Sequence, residues 1–203
     1  MQERRQNVIK KTKFSFLLFR KEFAIMSLIV TVLGLVMCVH DVTLGIFTFL
    51  YGLGLTCFYF WFGTAGFYSL LAIPCFLMGF YQVLAAILLK KVVLLTFVFL
   101  FEAASMIMSG LLFAGILKGP DSVAGTIAQV LMVLMVLLGL WWFGDGTWVL
   151  VATTKVKALQ YFTYYIPYAA VLVLSNLMNF VYARVFYKPE KAKSLVALLK
   201  ETF

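Results

Sequence analysis

Charged side chains fall in clusters along this chain, and between the clusters lie long stretches in which almost every position is apolar. A helix that crosses a bilayer needs about 20 mostly apolar residues, because the hydrocarbon core is about 30 Å thick and each helical residue rises about 1.5 Å. The first such stretch runs from Phe23 to Val39 and stops at His40-Asp41. No charge interrupts Val42 to Leu89, whose helical length would exceed twice the hydrocarbon thickness, so the chain has to turn back within it. Gly63-Thr64-Ala65-Gly66, flanked by Trp61 and Tyr68 as interfacial aromatics, offers the best turn. Lys90-Lys91, Lys118-Gly119-Pro120-Asp121 and Gly144-Asp145-Gly146 mark the later edges.

The pattern therefore predicts an all-α integral membrane protein, a polytopic helical bundle of six transmembrane helices. The spans are expected at 23–39, 43–62, 67–89, 92–117, 123–143 and 161–183, with Pro74 kinking the third and an interfacial segment at 147–158. Interfacial helices flank the bundle. A basic N-terminal segment occupies 1–22, the bundle 23–183, and a basic amphipathic C-terminal segment 184–203. Glu3 and Glu22, with no small-residue exit after the first apolar run, argue for a retained span rather than a cleaved signal peptide or a presequence.

Composition supports this solvent. Of 203 residues, 64% are apolar and 12% charged, against about 25% charged in an average soluble domain. Basic residues also sort by side. With six spans, only Lys90, Lys91, Lys155 and Lys157 of the 17 basic residues fall on the side away from the termini. The positive-inside bias then places both termini in the cytosol, or in the matrix of a mitochondrion. The net charge of +9 is accounted for by these flanks, which anionic lipids would hold, and no aromatic-plus-basic groove indicates nucleic acid.

Few residues carry chemistry. Glu102 lies near the middle of the fourth span, where a carboxylate costs at least about 2.5 kcal/mol, so it is expected to be protonated, paired or neutralised by a cation. Gln82, Gln129, Ser175, Asn176 and Asn179 are natural interhelical hydrogen-bond partners, and Glu102, Gln82, Gln129, Asn176 and Asn179 form the candidate intramembrane polar or ion site. His40, Asp41, Lys90, Lys91 and Asp145 all fall on the side away from the termini and are expected to meet as interfacial charges. Cys38, Cys57 and Cys75 sit inside apolar runs with no metal or redox spacing. No phosphate-cradling loop, Ser-His-Asp set or histidine pair is present, so neither an enzyme, a metal nor a cofactor is expected.

At one fixed offset Lys10, Lys11, Glu22, Asp41, Gly45, Trp61 and Gly66 align with Lys90, Lys91, Glu102, Asp121, Gly125, Trp141 and Gly146. A three-span repeat of this kind would invert the second half, as in secondary transporters. Two functions follow as expectations. One is a non-catalytic accessory or scaffold subunit of a larger membrane complex, fitting a chain that is nearly all bundle, with 21 Phe and 9 Met. The other is a small transporter or channel subunit using Glu102 and the polar sixth span. Expected partners are the bilayer, anionic lipids and neighbouring subunits. Basic multi-span subunits occur in the mitochondrial inner membrane, the reading preferred here, and in the endoplasmic reticulum or Golgi.

Residues 8–22 interleave Phe14, Phe16, Leu17, Leu18 and Phe19 with Lys10, Lys11, Lys13, Arg20 and Lys21. As a peptide, this segment should bind anionic vesicles better than neutral ones and gain helix on doing so. Binding should weaken as salt shortens the Debye length below about 8–10 Å. Replacing Phe14, Phe16 and Phe19 with Ser should weaken it more than the lost apolar area alone suggests, as circular dichroism against vesicle titration would record.

Overall fold

A computed structural model describes residues 16–62, 68–88, 93–146 and 158–187. The Gly63–Gly66 turn, Lys90, Lys91, most of the N-terminal segment, the expected interfacial stretch at 147–157 and residues 188–203 lie outside the described residues.

Six helical rods make up the described chain. They are α1 (Phe16–Met37), α2 (Val42–Cys57), α3 (Ala72–Leu88), α4 (Val93–Phe113), α5 (Val123–Trp141) and α6 (Ile166–Val181). Several are extended by tighter or wider turns. A π turn, Phe58–Phe62, prolongs α2, and a 3-10 turn, Tyr68–Leu71, leads into α3. Another π turn, Trp142–Gly146, prolongs α5 until Gly144 leaves helical geometry. Ala158–Gln160 and the π turn Tyr161–Tyr165 precede α6, and a further π turn, Tyr182–Phe186, follows it. Pro74 falls in the first turn of α3 rather than mid-helix, at the change from 3-10 to α geometry, where its missing N–H costs little.

Five stretches are long and apolar enough to cross a membrane: Val42–Trp61, Tyr68–Leu88, Leu95–Phe113, Val123–Gly144 and Tyr161–Phe186. Such a set suits an integral membrane protein. The α1 rod carries Arg20, Lys21 and Glu22 in its first turns, ahead of its apolar length.

Local chemistry sets the ends. Asp41 caps α2, its carboxylate accepting from the Leu44 N–H at 2.9 Å. Ser122 caps α5 by accepting from the Gly125 N–H at 3.0 Å. These side chains satisfy backbone donors that have no partner inside the helix. At its other end α4 stops at Phe113, short of the expected position 117. Gly115 takes φ 74°, and the Ile116 N–H donates to Leu111 O while the Gly115 N–H donates to Leu112 O. That is a Schellman close, which only glycine enters without strain.

Each rod packs on its sequence neighbours, and α6 closes the ring by packing on α1 and also reaches α4. The α1–α2 hairpin is interlocked at glycines. A methyl at Gly52 would lie 2.6 Å from the Thr31 nitrogen, and one at Gly34 would strike the Phe49 backbone. The Thr56 hydroxyl donates to Ser27 Oγ at 3.0 Å across the same seam. Outward faces are mostly apolar. On α1 they are Ile25, Leu28, Ile29, Val32 and Leu35, at helical spacing. The α5 stretch is the least embedded of the five, with 33% of it inside the bundle.

The aligned residues of the sequence repeat have unlike surroundings. Glu22 is exposed whereas Glu102 is fully buried. Asp41 is a helix cap, whereas Asp121 lies one residue outside the cap that Ser122 provides.

The glycine seam predicts a sharp size limit. Gly52→Leu should destabilise the purified protein by about 1–3 kcal/mol through overpacking, lowering its melting temperature in detergent. Leu50→Ala, on the outward face of the same helix, should shift melting little.

Candidate functional site

Where α2, α3, α4 and α6 meet, the interior is polar. Glu102, Ser105 and Ser109 share the inward face of α4, spaced at one and two turns. Across from them α6 presents Tyr168, Ser175, Asn176 and Asn179, while Gln82 and Cys75 point in from α3 and Tyr51 from α2. Every one of these residues is fully buried.

The centre is a chain of hydrogen bonds. The Ser105 hydroxyl donates to Asn176 Oδ1 at 2.6 Å, and Asn176 Nδ2 donates to Glu102 Oε2 at 2.9 Å. The same amide nitrogen donates to Leu172 O at 2.9 Å, so both of its protons are engaged. Beside this chain, the Tyr168 hydroxyl donates to Gln82 Oε1 at 3.1 Å. Asn179 Nδ2 points at two soft acceptors, Cys75 Sγ at 3.6 Å and Met106 Sδ at 3.8 Å.

Several polar atoms in this core have no hydrogen-bond partner among the described residues. They are Glu102 Oε1, Gln82 Nε2, Asn179 Oδ1, Ser175 Oγ and the Tyr51 hydroxyl. Tyr51 lies next to Ser175 and Asn179 without reaching hydrogen-bond geometry to either. An unmet buried polar atom costs about 1–3 kcal/mol.

Aromatic layers close the core at both ends. Toward the chain termini, Tyr182 is ringed by Phe23, Phe58, Tyr59, Tyr68, Phe113 and Phe186, with ring centroids 5.5–6.3 Å away. Just beyond it burial, reinforced by Tyr68, raises the Tyr187 phenol above its ordinary value, so it remains a neutral hydroxyl at physiological pH. At the opposite end Trp142 packs on Tyr165 and Tyr168, and Phe47 stacks on Tyr81 at 4.3 Å. Such pairs contribute about 0.5–1.5 kcal/mol each beyond area burial.

The structure thus brings Glu102, Asn176, Asn179 and Gln82 together and sets Gln129 apart. Gln129 Nε2 donates to Pro120 O at 2.7 Å and to Gly125 O at 3.3 Å, tying the α4–α5 turn to α5. Among the interfacial charges, Asp41 is a helix cap, His40 is exposed, and Lys90, Lys91 and the Asp145 side chain lie outside the described residues. Sequence reasoning did not foresee Tyr51, Cys75, Ser105 or Tyr168 in the core. The signal was available for Ser105, one turn after Glu102. It also missed the Asp121–Arg184 ion pair, 2.8 Å apart at the termini end.

The hydrogen-bond chain orders the substitutions. Asn176→Leu strands both the Glu102 carboxyl and the Ser105 hydroxyl, and should cost about 1–3 kcal/mol. Glu102→Gln keeps an acceptor for Asn176 and should alter melting far less. Differential scanning fluorimetry of both variants in one detergent would check the order.

Compared with protein-family models, curated proteins and solved structures, the chain matches none. Its function has to be reasoned from the geometry of this core and the surface around it.

Proposed function

We propose that this chain is a six-span, non-catalytic membrane protein that serves as an accessory or scaffold subunit of a larger membrane complex. The observation that carries this reading is how the interior polar groups are used. Ser105, Asn176 and Glu102 bond helix to helix inside a core capped at both ends by aromatic layers. Polar groups spent in this way specify one helix arrangement. Meanwhile α1 to α5 present apolar outer faces, most of all α5, and such a face suits lipid or neighbouring helices. In this reading α1 is the sixth span, and basic residues gather at the termini side. The mitochondrial inner membrane is the compartment proposed, with an endomembrane as the alternative.

One observation favours a second reading, a small transporter or channel subunit. Four of the five unmet core atoms, those of Glu102, Ser175, Asn179 and Tyr51, are oxygens and the fifth is Gln82 Nε2; oxygens of this kind suit a hard cation or a proton.

Two measurements test the proposal. In a cysteine-free background, single cysteines at positions 2, 119 and 202 should label from one side of the membrane and those at 40 and 145 from the other. Native mass measurement after mild-detergent extraction should give a discrete large assembly that Glu102→Gln leaves intact. A monomer whose ion flux disappears in Glu102→Gln, with the fold unchanged, would overturn the subunit reading in favour of the transporter.

A further inference from the structure

On the outer side of α5, where it meets the end of α6, the surface holds a groove of about 450 Å³. Its walls are largely apolar, with Val130, Val133 and Leu134 from α5 and Phe180 from α6, and Thr126 and Gln129 of α5 as their polar members. At one end stand Asp121 and Arg184, joined at 2.8 Å and largely exposed, with 87% and 58% of their side chains accessible. We propose that this groove is a binding site for one zwitterionic glycerophospholipid, with its headgroup on the Asp121–Arg184 pair and an acyl chain along the α5 wall. The inference rests on the membrane-spanning reading of α5 and α6.

Three features favour this occupant. Charge is the first. The rim carries one cation and one anion, matching a headgroup that offers a phosphate to Arg184 and an ammonium to Asp121. An anionic lipid would bring a second negative charge to Arg184, which Asp121 already pairs, and no ammonium for the carboxylate's remaining acceptor positions. Capacity is the second. The ion pair engages one guanidinium nitrogen, Nη1, with one carboxylate oxygen, Oδ1, and a guanidinium has five N–H donors and a carboxylate about four acceptor positions. Both groups can therefore take a ligand while keeping each other. Length is the third. From Val123 at the start of α5 to Leu134 the helix rises about 17 Å, close to one leaflet's half of a hydrocarbon core about 30 Å thick. The polar rim and the apolar wall thus meet where the headgroup and acyl regions of a leaflet meet.

The test uses the full-length protein, reconstituted in mixed vesicles of phosphatidylcholine, phosphatidylethanolamine and phosphatidylglycerol, extracted gently and analysed by native mass spectrometry. Wild type should retain one phosphatidylcholine or phosphatidylethanolamine per chain in preference to phosphatidylglycerol. Asp121→Asn and Arg184→Gln should each lower that retention about tenfold, the scale of one lost charge-assisted contact. Leu134→Trp, filling the groove, should lower it further. Equal or greater retention of phosphatidylglycerol, or retention unaffected by Asp121→Asn, would overturn the site. So would a photo-crosslinker at position 133 that captures a protein neighbour instead of lipid. Carbonate-resistant membrane association and melting temperature, measured on the same variants, keep the two claims separate. Both remain unchanged when only the lipid site fails, whereas loss of carbonate resistance in wild type would refute the membrane reading itself.

Discussion

Hydrocarbon accepts no hydrogen bonds, and the placement of most polar side chains in this bundle suits that constraint. Ser27, Thr48, Gln82, Glu102, Ser105, Asn176 and Asn179 are all fully buried, while the outward faces carry Ile, Leu, Val and Phe. The usual arrangement of a soluble core is reversed in part. Apolar contacts do not distinguish inside from outside here, because lipid tails are as apolar as leucine. What distinguishes them is the hydrogen bonding of a few residues, together with the close backbone approach that Gly34 and Gly52 allow.

Those few residues converge on α6. Asn176 joins α6 to α4, Tyr168 joins it to α3, and Tyr182 anchors the aromatic layer at the termini end. Of the residues in α6, Leu177 alone presents a broadly exposed apolar side chain. The wide π turn Tyr182–Phe186 continues the rod just where large rings have to fit, and π turns often mark such demands. The polar core and the aromatic layers are thus two parts of one device. The rings occupy volume at both ends, and the hydrogen bonds fix the register between them.

Much of the helical organisation was legible because charge clusters are the natural punctuation of apolar runs. The burial of Glu102 was legible for the same reason, since a carboxylate centred in an apolar run has nowhere cheap to go. The faces of the helices were not. In α4 and α5 almost every position is apolar, so periodicity carries no contrast. Gln129 therefore read as a core amide although it serves the α4–α5 turn. Asp121 and Arg184 lie far apart in sequence, and nothing local tied a turn aspartate to the basic flank of the last helix. Gly115 was hidden differently, since a glycine in an apolar run looks like a packing residue until its positive φ is seen.

The central place of α6 has a consequence for biosynthesis. It is the last of the six rods to leave the ribosome, yet it carries the donors that Glu102 and Gln82 accept from. Until it arrives, the earlier helices hold a carboxyl and an amide in the bilayer without their native partners. The α1–α2 hairpin, closed by its own glycines and by Thr56 on Ser27, is complete long before. The α3–α4 hairpin is closed by glycines too, Gly79 against Ile107 and Gly110 against Phe76, so what waits for α6 is the Glu102 carboxyl and the Gln82 amide rather than the pairing of the two helices.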